Sequence, residues 1–272
     1  MTQTKIELTP STRFKLSNGV LMPCLGLGTW QTEAGAETRN SVRNALEVGY
    51  RLIDTATMYG NERDVGDGFR QSGLSREEVF ITTKLWNDEH GYEPALRACD
   101  RSLRTLGLEY VDLYLIHWPS SGRRAETWKA MEKILEDGKA LSIGVSNYYF
   151  QHLEEMKDYA NVPPSVDQVE FSPFTYERDL LEYCQANRIQ LEAYSPLTRG
   201  RRLDEARLVT IGRKHAKTAA QVLVRWGLQH GVVEIPKSRH RERIVENWSV
   251  FDFELDDQDM AALDSISTGS GR

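Results

Sequence analysis

Long apolar runs are missing from this chain: none approaches the ~18 residues that a membrane-spanning helix requires, so no such helix is expected. Cysteine is scarce. Cys24, Cys99 and Cys184 form an odd, scattered set that suits neither a disulfide framework nor a metal-ligand spacing. His-Glu-x-x-His and Cys-x-x-Cys are both absent, and no metal site is expected. The chain does not open on a charged-then-apolar leader, which with the scattered cysteines makes the cytoplasm the expected compartment. An excess of positive charge is also lacking. The formal net charge is −6, which argues against general nucleic-acid affinity. The dinucleotide fingerprint G-x-G-x-x-G is incomplete, because Gly26-Leu-Gly28 is followed by Gln31 where its third glycine belongs. No Pro-, Gly- or Ser-rich stretch divides the 272 residues, so one domain over 1–272 is expected, with 1–12 and 268–272 loose.

What is present is a repeat of short apolar runs and longer amphipathic segments. Eight runs have the β-branched or mixed apolar character of buried parallel strands. They are Leu25–Leu27, Tyr50–Ile53, Val79–Thr83 and Val111–Ile116, then Ser142–Val145, Val166–Val169, Ile189–Ala193 and Val232–Ile235. Helical periodicity marks Glu37–Val48, Pro94–Leu106, Ala125–Glu136, Asp179–Asn187 and Thr218–Gln229. Gly49, Gly73, Gly107, Gly138 and Gly231 sit where C-terminal caps belong. Eight alternating units without a break predict a (β/α)8 barrel, with an open doubly wound sheet as the alternative. Ahead of the first strand, Arg13–Leu16 and Val20–Met22 flank Ser17-Asn-Gly19, and Asn-Gly is the strongest short hairpin signal. A hairpin there would close the bottom of the barrel.

Active sites of such barrels lie at the C-terminal strand ends. The second, third and fourth strands end at Asp54, Lys84 and His117, ~30 residues apart, which is one βα unit each. The later strands end at Ser146-Asn147, Gln168–Glu170, Tyr194-Ser195 and Lys237-Ser238, and Tyr59 follows Asp54 in the same rim. Taken singly, a strand-end Asp caps a helix, a Lys reaches water and a His satisfies a structural bond. Together the four make a proton donor. Tyrosine is a weak acid, with an ordinary pKa of about 10. A nearby ammonium lowers that value, and a buried ammonium needs a counter-charge. Asp54 can hold Lys84, Lys84 can tune Tyr59, and His117 can polarise a carbonyl oxygen.

Several long motifs then carry a family resemblance. Gly49–Glu62, Val111–Pro119, Ile143–Asn147, Ile235-Pro-Lys-Ser238 and Arg243-Ile-Val-Glu-Asn247 stand in the order seen in aldo-keto reductases, and the resemblance runs from about Phe14 to Leu263. It implies NADPH-dependent reduction of aldehydes and ketones. Tyr59 would be the general acid, tuned by Lys84 and Asp54, with His117 orienting the carbonyl. It implies that Ser146, Asn147 and Gln168 hold the nicotinamide carboxamide, that Tyr194 stacks on its ring, and that Ser195 through Leu197 approach the pyrophosphate. Lys237, Ser238, Arg243, Glu246 and Asn247 would surround the adenosine 2′-phosphate and adenine. Thr29, Trp30 and Asp54 would also meet the cofactor. Trp30, Tyr59, Trp86, His117 and Trp118 match substrate positions; ordinary packing is the alternative for each Trp, and for Trp86 it weighs nearly equally.

The loops after His117 and Ser195 are short, which resembles bacterial and protozoan members that reduce glyoxals or diketo sugar acids, with prostaglandin F synthase-like members of the same type. Ser172 and Tyr148 replace the usual His and Phe, and a substrate-contacting C-terminal tail is lacking. The expected partner is a small carbonyl substrate, with no nucleic acid or membrane, and a monomer. Two other readings remain at this point: a non-catalytic NADPH-binding regulatory subunit on the same fold, and an unrelated barrel hydrolase or isomerase.

Overall fold

A computed structural model describes residues 7–120 and 122–267. The hairpin forms as expected. β1 (Arg13–Lys15) and β2 (Leu21–Pro23) pair antiparallel, with Phe14 opposite Met22. Asn18 Nδ2 donates to Leu141 O at 2.9 Å and Ser142 Oγ at 3.0 Å, which pins the turn to the beginning of a later barrel strand. Most of the terminal residues expected to be loose lie outside the described residues. Within 7–12 the chain is fastened instead: Leu8 is buried in the core, and Thr9 N donates to Thr12 Oγ1 at 2.8 Å.

The barrel follows as β3 (Leu27–Gly28), α1 (Ala36–Val48), β4 (Leu52–Asp54), α2 (Glu62–Ser72), β5 (Phe80–Leu85) and α3 (Tyr92–Leu106). Next come β6 (Val111–Ile116), α4 (Arg124–Glu136), β7 (Ala140–Ser146), α5 (Phe150–Met156), β8 (Val166–Glu170) and α6 (Arg178–Ala186). The described chain ends with β9 (Gln190–Tyr194), α7 (Ala206–His215), α8 (Ala219–Gln229), β10 (Val233–Glu234), α9 (Arg241–Trp248) and α10 (Asp257–Asp264). Strands β3 to β10 form one sheet, each parallel to its sequence neighbour.

The two edges of the sheet meet, which decides between barrel and open sheet. Leu25 bridges Glu234 in parallel, Gly26 N donates to Glu234 O at 2.8 Å, and Glu234 N donates to Cys24 O at 2.9 Å. The Gly26-Leu-Gly28 run therefore serves closure. A Cβ on Gly28 would stand 2.8 Å from Ile235 O, so only glycine lets these strands approach.

Helices α2, α5 and α7 are not among the helical segments read from the sequence. In α2, Gly66 is a packing device rather than a break: a Cβ there would meet Leu106 O at 2.0 Å. Elsewhere local chemistry acts as read. Gly49, Gly73 and Gly107 cap α1, α2 and α3 with positive φ, and Thr218 and Gln221 form a reciprocal capping box on α8.

Candidate active site

The upper end of the barrel opens into a single cleft of about 770 Å³. Polar groups gather beneath it because strands β4, β5, β8 and β9 all end there. Lys84 is fully buried, and its ammonium donates to both Asp54 oxygens at 2.7 Å and to Thr55 O at 2.9 Å. The same nitrogen is 3.4 Å from the Tyr59 hydroxyl. Burial alone would lower the Lys84 pKa, but Asp54, followed by Tyr59, outweighs it and raises the value, so the amine stays charged. For Tyr59 burial is the largest influence and raises the pKa, with Lys84 opposing it only in part. The phenol therefore holds its proton at neutral pH, whereas the simple expectation from Lys84 alone is a lowered pKa.

The His117 ring stands edge-on to Tyr59 at 5.7 Å between centroids, and edge-on to Trp86 at 5.0 Å. Burial, then the charge of Lys84, pulls its pKa down to about 3. His117 is therefore neutral through the physiological range, and its Nδ1 has no partner among the described residues. A neutral imidazole keeps one N–H that can be offered to a carbonyl oxygen.

Around this group Ser146 Oγ donates to Gln168 O at 2.8 Å, and Asn147 Nδ2 donates to His117 O at 3.0 Å. Tyr194 donates to Asn147 Oδ1 at 2.8 Å. Gln31, Asn147, Ser195 and Arg199 adopt φ between 51° and 61°, and all four line the cleft. Left-handed backbone at a non-glycine residue costs about 1–3 kcal/mol, and its concentration here marks a site shaped for something other than stability.

The far end of the cleft is lined by Lys237, Ser238, Arg243, Glu246 and Asn247, where β10 gives way to α9. The sequence places four cations between Lys237 and Arg243, and two of them pair with carboxylates of α1, Arg239 while also lining the cleft. Arg239 reaches Glu37 at 3.3 Å and Arg241 reaches Glu47 at 3.7 Å, both on α1. Lys237, half-buried, and Arg243, exposed, carry no hydrogen bond or ion pair among the described residues. Burial lowers the Lys237 pKa, an effect that Glu37 only partly offsets. Two unspent cations beside a helix N-terminus suit a phosphate.

Most of the expected site residues thus line one cleft: Trp30, Asp54, Tyr59, His117 and Trp118, then Ser146, Asn147, Gln168, Tyr194, Ser195 and Leu197, with the α9 group beyond. Three do not. Lys84 lies beneath the floor, within 3.4 Å of the Tyr59 hydroxyl. Thr29 is fully buried outside the lining and spends its hydroxyl on Asp54 O at 2.9 Å. Trp86 packs against His117 outside the lining. Sequence reasoning missed Met58, which is 47% exposed in the cleft, and Arg199, whose guanidinium lies 4.7 Å over the Trp30 ring. The Arg-Gly-Arg-Arg run after the seventh strand was the available signal for Arg199.

The description "Aldo/keto reductase family" fits residues 24–268. The chain belongs to the aldo/keto reductase family. It is 51% identical to a glyoxal reductase of Bacillus subtilis over 253 residues, covering 93% of this chain and 92% of that one. It is 49% identical to a 9,11-endoperoxide prostaglandin H2 reductase of Trypanosoma cruzi, covering 93% and 90%. A crystal structure of a Bombyx mori aldo-keto reductase in complex with NADP superposes with a TM-score of 0.88 at 34% identity, covering 94% of this chain and 92% of that one. With these relatives, the chain is an NADP-linked oxidoreductase.

Proposed function

We propose that the protein reduces small dicarbonyls or keto sugar acids to alcohols with NADPH, using Tyr59 as the proton donor. One observation carries the reading: a single cleft joins the Asp54–Lys84–Tyr59 chain and neutral His117 at one end to the unpaired Lys237 and Arg243 at the other. That span suits a dinucleotide with its redox end over the strand ends and a phosphate at α9. When bound, the cofactor supplies hydride to the carbonyl carbon. Tyr59 gives its proton to the carbonyl oxygen. His117 aligns that oxygen, and Lys84, held by Asp54, stabilises the phenolate left behind. Gln168, Asn147 and Ser146 offer polar contacts for a carboxamide, and the Tyr194 ring offers a stacking face.

The substrate class rests on openness. The loop after His117 reaches α4 within a few residues, and Trp118 remains 42% exposed on the cleft wall. The relative named for glyoxal points the same way. A broad panel of aldehydes, dicarbonyls and keto sugar acids, followed by NADPH absorbance, should show wide scope and weak affinity, with methylglyoxal, phenylglyoxal or diketo sugar acids among the better substrates. Tight selectivity for a bulky steroid ketone would contradict the proposal. Stoichiometric NADPH binding without turnover of any carbonyl would favour the regulatory reading.

Cofactor choice should follow the two free cations. NADPH differs from NADH by the 2′-phosphate, and Arg243 offers it a planar fork while Lys237 offers a point charge. Arg243→Ala and Lys237→Ala should each raise the KM for NADPH roughly ten- to hundredfold, the range of charge-assisted hydrogen bonds. NADH kinetics should barely move. High salt should weaken NADPH more than NADH by screening. Equal KM values for the two cofactors, unchanged in Arg243→Ala, would refute the assignment.

A further inference from the structure

Glu192 lies in the middle of β9 with no exposed surface, and the reaction described above gives it no task. Its Oε2 accepts from Gln168 Nε2 at 2.8 Å, and that same nitrogen donates to Asp54 Oδ2 at 2.8 Å. Both amide protons of Gln168 are thereby spent on two carboxyl groups. The amide cannot turn over without aiming its oxygen at an acceptor, so its oxygen is left for the cleft that Gln168 lines.

The charges around Glu192 are unbalanced. Facing it are Asp54 on β4, Lys84 on β5 and Tyr59 beyond β4, while Glu234 on β10 stands on the opposite face of the sheet, against Gly227 of α8. Lys84 is the single cation among them, and its hydrogen bonds go to Asp54, Thr55 and Tyr59. Glu192 Oε1 is buried without a partner among the described residues. An ionised Glu192 would therefore be an unpaired charge in the barrel interior, the costliest arrangement available to it.

We propose that Glu192 is a positioning residue which, as a neutral carboxylic acid, fixes the Gln168 amide under the cleft and leaves Lys84 undivided between Asp54 and Tyr59. The proposal rests on the carbonyl-reduction reading. Burial, then the negative charge of Asp54, pushes the Glu192 pKa up to about 8, with the Gln168 hydrogen bond opposing. As pH rises through that value a second negative charge forms beside Lys84 and raises the Tyr59 pKa further, so proton donation weakens.

Glu192→Gln keeps the shape but cannot ionise, and Glu192→Leu removes the acceptor. Infrared difference titration of the cofactor-free protein, from neutral to alkaline pH, should show a protonated-carboxyl band lost with a midpoint near 8 and missing from Glu192→Gln. In steady-state kinetics the alkaline fall in kcat/KM should move up by roughly one pH unit or more in Glu192→Gln. Glu192→Leu should raise the cofactor dissociation constant about tenfold, as an amide proton is left unpaired, with Glu192→Gln recovering much of the loss. Identical infrared spectra for wild type and Glu192→Gln at neutral pH, or superimposable pH profiles, would overturn the proposal. Absence of carbonyl turnover in the wild type would overturn the reductase reading instead, while the infrared titration would still decide the state of Glu192.

Discussion

Tyr59→Phe should lose ~10²–10⁴-fold of kcat/KM for carbonyl reduction, the usual contribution of a general acid, while NADPH still binds. The substitution removes one oxygen and keeps the ring that stands edge-on to His117 at 5.7 Å. It strands no buried group, because Lys84 retains both Asp54 oxygens and Thr55 O. Melting temperature should therefore change little, which separates the chemical loss from a folding defect. His117 cannot take over proton donation. Its pKa of about 3 leaves the ring neutral at working pH, and a neutral imidazole is a far weaker acid than an imidazolium. A folded Tyr59→Phe protein with undiminished turnover, measured under saturating NADPH, would sink the mechanism.

Lys84→Met should fail twice over. It removes the cation beside Tyr59, so turnover should drop by ~100-fold or more, at the lower end of what the acid itself supplies. It also leaves the Asp54 carboxylate buried with only Gln168 donating to it, and breaking a buried pair costs about 3–5 kcal/mol. The pH dependence has a definite sign. Without Lys84, burial holds the Asp54 pKa above its unfolded value, so the folded protein binds a proton that the unfolded chain releases. The stability deficit should then be small at acid pH and grow as pH rises. Adding Asp54→Asn to Lys84→Met should recover melting temperature, since the stranded charge is gone, but not turnover. Thermal melts across pH with parallel rate measurements test both parts. Unchanged melting and unchanged turnover in Lys84→Met would remove the pair from either role.

The residues to which the proposed chemistry is assigned were legible because each stands at a place that local sequence marks. Asp54, Lys84 and His117 follow apolar β-runs, Asn18-Gly19 declares its own turn, and Thr218 with Gln221 announces a helix start. These are effects of period, turn geometry and capping, which act over a few residues and need nothing from the rest of the chain. Strand order and the C-terminal rim follow from them, and the short loops around the cleft can be counted directly.

What remained depended on contacts between distant segments. Whether eight strands close was settled by Leu25 meeting Glu234, and the glycines of α2 gained a meaning only when Leu106 packed against Gly66 and α1 against Gly68. Thr29 and Trp86 match family positions yet are drawn away from the cleft by Asp54 and His117. Four cations near α9 look equivalent in sequence, and only Glu37 and Glu47 arriving from α1 single out Lys237 and Arg243. The state of Tyr59 and of Glu192 depends on desolvation, which sums over everything packed around a group. Periodicity and turn chemistry are local properties of a chain, whereas burial and charge pairing are set by which distant segments come to lie side by side.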